Sequence, residues 1–288
     1  MEASREVSIA VLGGTGLYAM AGLVVEEDRR IDTPYGATSD TIRIGTIAGR
    51  RVAFLARHGR SHSLLPAEIP YRANVHALRQ LGVRWVLSAS AVGSLREELA
   101  PGHFVVPLQM FDRTKQRDEH TFFGRGIVAH VSFGTPVCPI LARVLHEAAR
   151  DAGAKATLGG TYVNMEGPAF STRAESEWHR SIGCDVIGMT NLAEAKLCRE
   201  AEMSYATLAM VTDYDAWSEV EVHVEQVVAQ LHENAAMAQK ALTLAIGRVP
   251  LGDKTSAHDA LKNAILTPKY AWPKERVDEL WPFLAKYA

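Results

Sequence analysis

The run Tyr205-Ala206-Thr207-Leu208-Ala209-Met210-Val211 carries no charge and gives way to Thr212-Asp213-Tyr214-Asp215. A run this short and uncharged, followed by a break, reads as a strand buried in a sheet. Asp213 and Asp215 then stand where the strand leaves the sheet. In open α/β sheets that carboxyl edge is where ligands bind. A carboxyl partly desolvated there takes a raised pKa and can donate or share a proton. An acidic pair facing a heterocycle accepts from an exocyclic amine and donates to a ring nitrogen. The same residues also read as a helix cap at Asp213 and a solvated Asp215, because Asp is a preferred N-cap.

The rest of the chain alternates strand and helix signals. Val7–Leu12 is a strand entering Gly13-Gly14-Thr15-Gly16, and residues 41–47 and 51–56 form a hairpin about Ala48-Gly49-Arg50. Residues 73–81 have helical spacing and stop at Gly82. Residues 84–87 are a strand running into a small-residue turn, Ser90-Ala91-Val92-Gly93-Ser94, and 103–107 are another strand. Residues 110–135 lack periodicity and read as a long functional loop. A helix over 137–152 closes at Gly153, a strand covers 161–165, and Thr172 with Glu175 makes a capping box for a helix to Ser181. A short strand, 185–188, precedes a helix opened by Asn191 and Glu194 and ending at Ala201, and a long helix spans 219–246. No linker or repeat divides the chain. The expected fold is therefore a single α/β domain over residues 1–288, with a central mixed, largely parallel sheet flanked by helices. Residues 250–288, with Pro268, Pro273 and Pro282, form a helical and extended C-terminal extension.

Bulk properties exclude several classes. A net charge of −2 gives no electrostatic case for nucleic acid or an anionic membrane. The N-terminus is too polar for a signal peptide, and no apolar stretch approaches about 18 residues. Cys138, Cys184 and Cys198 are widely spaced, which suits reduced thiols in a cytoplasmic protein.

Several strand ends carry anion-binding chemistry. The glycines at 13, 14 and 16 let the backbone approach an anion, and Thr15 adds a hydroxyl. Read as a dinucleotide fingerprint the turn is weak, with Ala19 in the third glycine's place and no acidic partner downstream; a plain tight turn also fits. Arg57-His58-Gly59-Arg60-Ser61-His62 follows the hairpin, and Arg suits bidentate oxyanion binding, although a solvated basic loop has the same composition. His58 and His62 have the spacing of a helical metal pair, but Gly59 disfavours a helix and no nearby Glu or Cys completes a ligand set, so no metal is expected. Ser90 and Ala91 offer a hydroxyl and backbone N–H groups, and Thr190 precedes a helix N-terminus. Convergent donors without a P-loop Lys suit inorganic phosphate better than a nucleoside triphosphate.

Taken in order, Gly13-Gly14-Thr15-Gly16, Thr33-Pro34-Tyr35-Gly36, Ala56-Arg57-His58-Gly59-Arg60, Gly93-Ser94-Leu95-Arg96, residues 164–175, Gly188-Met189-Thr190 and Thr212-Asp213-Tyr214-Asp215 resemble the trimeric purine nucleoside phosphorylases. Within that family the chain is most similar to the 5′-methylthioadenosine phosphorylases. The ordered set covers residues 7 to about 245, and its specificity lies in the series rather than in any one motif.

The resemblance implies the nucleoside phosphorylase fold, with its distorted barrel-like sheet. It also implies phosphorolysis of 5′-methylthioadenosine to adenine and 5-methylthioribose 1-phosphate, in purine and methionine salvage. Phosphate is a co-substrate, and no metal or organic cofactor is implied. By similarity Thr15, Arg57, His58, Ser90, Ala91 and Thr190 hold phosphate. Met189 lies under the ribose, Phe170 lines the purine site, and Ser171 reaches the base through its hydroxyl or a water. Asp213 faces purine N7 and Asp215 the 6-amino group. His62, Val224 and Val228 surround the 5′ substituent, joined by His130 from a neighbouring subunit of a homotrimer.

Two departures stand out: Asn191-Leu192-Ala193 where relatives often have a Pro before Glu194, and His223 in a short segment before Val224. The motifs are shared with phosphorylases of 5′-deoxyadenosine, adenosine and other 5′-modified nucleosides, and with 6-oxopurine enzymes. A water-using hydrolase and a dinucleotide-binding module are the readings from other classes. The phosphate donors weigh against the first, and the second rests on the Gly13–Gly16 turn alone.

Overall fold

A computed structural model describes residues 6–14, 17, 20–115, 118–219 and 222–287. The described strands are β1 (Ile9–Gly13), β2 (Val24–Arg29), β3 (Ile42–Ile47), β4 (Arg50–Ala56), β5 (Trp85–Ser94), β6 (Phe104–Val106), β7 (Gln109–Arg113), β8 (Ala156–Leu158), β9 (Thr161–Met165), β10 (Val186–Gly188) and β11 (Ser204–Tyr214). The helices are α1 (Tyr71–Gln80), α2 (Pro139–Ala152), α3 (Arg173–Ser181), α4 (Asn191–Glu200), α5 (Val224–Arg248), α6 (Lys274–Glu279) and α7 (Trp281–Leu284).

The strands form one mixed sheet in the order β2-β3-β4-β1-β5-β10-β9-β7, with β11, β6 and β8 branching from β5. The pairings of β1 with β4 and β5, and of β5 with β11, are parallel, so the centre of the sheet is parallel. The sheet is open among the described residues, which corrects the barrel-like closure expected from resemblance: the branch at β5 divides the strands between two paths that do not rejoin.

Helices cover both faces. Leu141, Leu145, Leu242 and Ile246 of α2 and α5 pack with Trp85, Leu87 and Leu208 on one side. Val75 and Leu78 of α1, Leu197 and Cys198 of α4, and Phe283 and Leu284 pack with Val86 and Tyr205 on the other. Each such side chain, fully buried, contributes about 1.5–3 kcal/mol. Phe283 and Leu284 show that the C-terminal extension is part of this core. No helix among the described residues is long and apolar enough to cross a membrane.

Local sequence explains many boundaries. Ala48 and Gly49 take φ of +49° and +70° in the two-residue turn between β3 and β4. The Thr172 hydroxyl accepts from Glu175 N at 3.2 Å and Thr172 N donates to Glu175 Oε2 at 2.9 Å, so the expected capping box is present. Three expectations are corrected. The stretch 110–135 is not all loop: β7 pairs with β9 as an edge strand. Ser90–Ser94 is no turn, because β5 runs through it. Helix α5 starts at Val224, with His223 as its N-cap residue, rather than at Glu219.

Candidate active site

Strand β5 exchanges neighbours part-way along its length. Its pairing with β1 ends at Gly13 opposite Ala89, and its pairing with β10 begins at Ile187 opposite Gly93. Ser90, Ala91 and Val92 keep β11 on one side and have neither β1 nor β10 on the other. A cavity of about 410 Å³ opens in that gap. It is a switch point of the kind at which open α/β sheets bind ligands.

One end of the cavity is acidic. Between β5 and β11 the register slips at Thr212, so Val211 opposes Val92 and Asp213 opposes Gly93. A bulge shifts the side-chain alternation by one residue, and this one re-aims Asp213 relative to Val211. Asp213 therefore lies within a strand and caps no helix. The Thr212 hydroxyl donates to Asp213 Oδ1 at 2.6 Å. Burial raises the Asp213 pKa from 3.8 to about 6; the Thr212 hydrogen bond opposes the rise and the nearby Asp215 charge adds to it. Asp215 is buried, and its Oδ2 has no hydrogen-bond partner among the described residues. A buried acceptor left without a donor is costly unless a ligand supplies one.

The other end holds Gly14, Arg57, His58, Ser90, Ala91 and Thr190. A Cβ on Gly14 would come within 2.9 Å of Arg57 Nη1, so only glycine leaves that guanidinium edge open. Arg57 is buried, pairs through Nε with Glu194 Oε1 at 2.6 Å, and donates to Ala89 O and Leu12 O. His58 Nδ1 lies 2.8 Å from Leu64 O; a carbonyl only accepts, so Nδ1 carries the proton and Nε2 the lone pair. Burial pulls the His58 pKa down to about 4, with the Arg57 charge working the same way. His62 stacks on His58 with ring centroids 4.4 Å apart, an arrangement of rings rather than of converging metal ligands.

Between the ends the walls are apolar. Met189 sits against Gly167, whose φ is +71° and where a Cβ would lie 2.5 Å from Met189 Sδ. Phe170, Met165, Leu65, Pro66, Val224 and Val227 are also among the lining residues.

Most expected site residues meet here: Arg57, His58, His62, Ser90, Ala91, Phe170, Met189, Thr190, Asp213, Asp215 and Val224. Thr15 lies outside the described residues. Ser171 lines an adjoining hollow with Phe170 and His223 instead of the main cavity. Val228 is replaced by Val227, because a helix that starts at Val224 turns the i+3 position toward the cavity. His130 lies elsewhere on the chain, where its N–H donates to Ala264 O at 2.9 Å, and it lines a hollow with Phe133 and Lys196.

Asn191 is not the helix cap it resembles. Thr190 holds the N-cap position of α4, and Asn191 turns its amide inward onto Ser90, Tyr205 and Thr207. Ser88, Tyr205, Asn191 and Glu194, none singled out from sequence as site residues, form a buried network behind the Arg57 end of the cavity. Its partners are up to 137 positions apart in the chain, so no local pattern announces it.

The cavity thus carries a buried carboxyl of raised pKa at one end and a buried cation with hydroxyls at the other, and comparison with known proteins gives the class, a phosphorylase. The model of the phosphorylase superfamily matches residues 8–247. The chain belongs to that superfamily. It is 52% identical over 284 residues to the S-methyl-5′-thioadenosine phosphorylase of Koribacter versatilis, covering 98% of this chain and 97% of that one. To the protein of the same name from Thermosynechococcus vestitus it is 53% identical over 285 residues, covering 97% and 98%. A methylthioadenosine phosphorylase from an antarctic soil metagenomic library superposes with a TM-score of 0.92 at 48% identity, covering 97% and 99%. The methylthioadenosine phosphorylase of Schistosoma mansoni in complex with adenine gives 0.84 at 34% identity, covering 89% and 96%.

Proposed function

We propose that this chain catalyses phosphorolysis of 5′-methylthioadenosine, giving adenine and 5-methylthioribose 1-phosphate for purine and methionine salvage. The observation that carries the reading is the acidic end of the cavity: a buried Asp215 oxygen that lacks a donor, beside an Asp213 carboxyl poised near neutrality. A 6-aminopurine supplies both needs, its amine donating to Asp215 and its N7 taking a proton from Asp213.

Phosphate sits against Arg57 Nη1, His58, the Ser90 and Thr190 hydroxyls and the Ala91 N–H, with Thr15 completing the set. It attacks C1′ from the face opposite the base. The C1′–N9 bond breaks, its electron pair enters the purine, and Asp213 delivers a proton to N7, so that neutral adenine leaves. General acid catalysis of this kind is worth roughly 10²–10⁴-fold. The anion below the ring stabilises the oxocarbenium-like ribosyl group. Met189 supports the ribose, Phe170 flanks the base, and Ser171 reaches it through a water. Leu65, Pro66, His62, Val224 and Val227 receive the 5′ substituent, with His130 of a neighbouring subunit in a homotrimer. The Arg57 Nη1 edge and the Asp213 carboxyl supply the anion contact and the proton that the reaction needs, without a metal or organic cofactor, and the setting is cytoplasmic.

Rates with phosphate present, compared across four nucleosides, test this. Methylthioadenosine should lead; adenosine should follow within roughly 10²-fold, because an apolar pocket rejects a hydroxyl only weakly. Methylthioinosine should trail by about 10⁴, because it leaves the Asp pair without its donor. Methylthioinosine turning over as fast as methylthioadenosine would defeat the assignment.

A further inference from the structure

Behind the proposed phosphate end, one buried charge sets the direction of a chain of hydrogen bonds. Glu194, on the first turn of α4, has a side chain 3% exposed and both oxygens engaged. Arg57 donates to them from Nε at 2.6 Å and Nη2 at 3.2 Å, the Ser88 hydroxyl donates at 2.9 Å, and the Tyr205 hydroxyl donates at 2.8 Å. A carboxylate only accepts, so the protons of Ser88 and Tyr205 both point at Glu194. The Tyr205 oxygen is then left as an acceptor, and Asn191 Nδ2 donates to it at 2.9 Å and to Thr207 Oγ1 at 2.6 Å. That fixes which way the amide faces. Asn191 Oδ1 turns to the opposite side and accepts from the Ser90 hydroxyl at 2.8 Å and the Thr190 hydroxyl at 3.3 Å. Ser90, Thr190 and Arg57 line the cavity, whereas Glu194, Asn191 and Tyr205 do not.

We infer that Glu194, acting through Asn191, is the positioning residue for phosphate: its charge orients Arg57 and sets the proton direction of both hydroxyls. The inference rests on the reading of this end as the phosphate site. Ser90 and Thr190 share one acceptor, so phosphate competes with Asn191 Oδ1 for their protons, and the amide holds both hydroxyls in register until phosphate arrives. Because Arg57 is already paired with Glu194, it offers phosphate a placed Nη1 edge more than an uncompensated charge.

Glu194→Gln preserves shape and reverses part of the polarity, since a carboxamide can donate to Tyr205 or Ser88 and release Asn191 to turn over. The test is initial-rate adenine release, with phosphate titrated at saturating methylthioadenosine and the nucleoside titrated at saturating phosphate. The phosphate KM should rise roughly tenfold or more, the scale of a lost charge-assisted hydrogen bond, while the nucleoside KM stays within about twofold, inside the context scatter of single contacts. Glu194→Asp, which keeps the polarity, should recover part of the loss. An unchanged phosphate KM, or equal rises in both KM values, would overturn the inference. If Glu194→Gln does not fold, Tyr205→Phe decides by the same split, since it removes one link and leaves the Arg57–Glu194 pair. Wild type that releases no adenine with phosphate would instead fail the proposed function. Inorganic phosphate alone then still tests the positioning role: it should raise the melting temperature of wild type more than that of Glu194→Gln, and equal shifts would overturn it.

Discussion

Replacing Asp213 by Asn removes the proton that the proposed reaction moves while keeping an oxygen to accept from Thr212. Two opposite effects follow from the same carboxyl. Burial, with Asp215 alongside, lifts its pKa from 3.8 to about 6. A rise of that size corresponds to a penalty of roughly 3 kcal/mol on the charged form. The folded pKa exceeds the unfolded one, so the native state binds the proton more tightly. Stability therefore falls as pH climbs from about 4 to about 6 and stays lower above that. Asn does not ionise and escapes the penalty. Near neutral pH the variant should resist urea better than wild type by up to about 3 kcal/mol, and the difference should close as pH approaches about 4. Its kcat should fall roughly 10²–10⁴-fold. Urea titrations across that pH range and steady-state rates at saturating phosphate measure both effects. A variant no more stable than wild type at neutral pH would refute the desolvated carboxyl. An unchanged kcat would show that N7 takes its proton from elsewhere.

Three further outcomes are expected. A Cβ on Gly188 would fall on the Tyr162 hydroxyl and lie 2.8 Å from its Cζ. Gly188→Ala should thus cost about 1–3 kcal/mol in chemical denaturation, and adding Tyr162→Phe should recover part of it. With His58 lowered to about 4, its imidazole is neutral from about pH 6 upward. An NMR titration of the empty enzyme should accordingly show no His58 protonation step between about pH 6 and 8, and a step there would contradict the burial argument. His130→Ala should lower kcat/KM for the nucleoside and leave the phosphate KM alone, and light scattering showing a fully active monomer would remove His130 from the site.

Sequence periodicity located elements whose signals are local. The Ala48-Gly49 turn, the Thr172–Glu175 box and Gly153 at the end of α2 each act within a few residues. Strand β2 gives no apolar strand signal because Val24–Arg29 is charged and lies at the edge of the sheet; two of its acids are matched across strands, Asp28 by Arg43 and Glu26 by Arg51. Ser90–Ser94 has the composition of a turn, because its small residues read the same whether they bend or line a cavity. Asn191 has a cap's sequence signature, yet long-range partners claim its amide. The acidic pair was legible from its place after a buried run, but the bulge at Thr212 that aims Asp213 depends on register with β5. In the sequence Glu194 marks only a helix start, since its partner Arg57 arrives from a distant strand end.

Adenine release from 5′-methylthioadenosine, followed with and without inorganic phosphate, tests the central claim most directly. The account predicts release that requires phosphate and yields one equivalent of 5-methylthioribose 1-phosphate per adenine. Equal release without phosphate, with free 5-methylthioribose as the sugar product, would contradict it and leave Arg57, Ser90 and Thr190 without the anion they are proposed to hold.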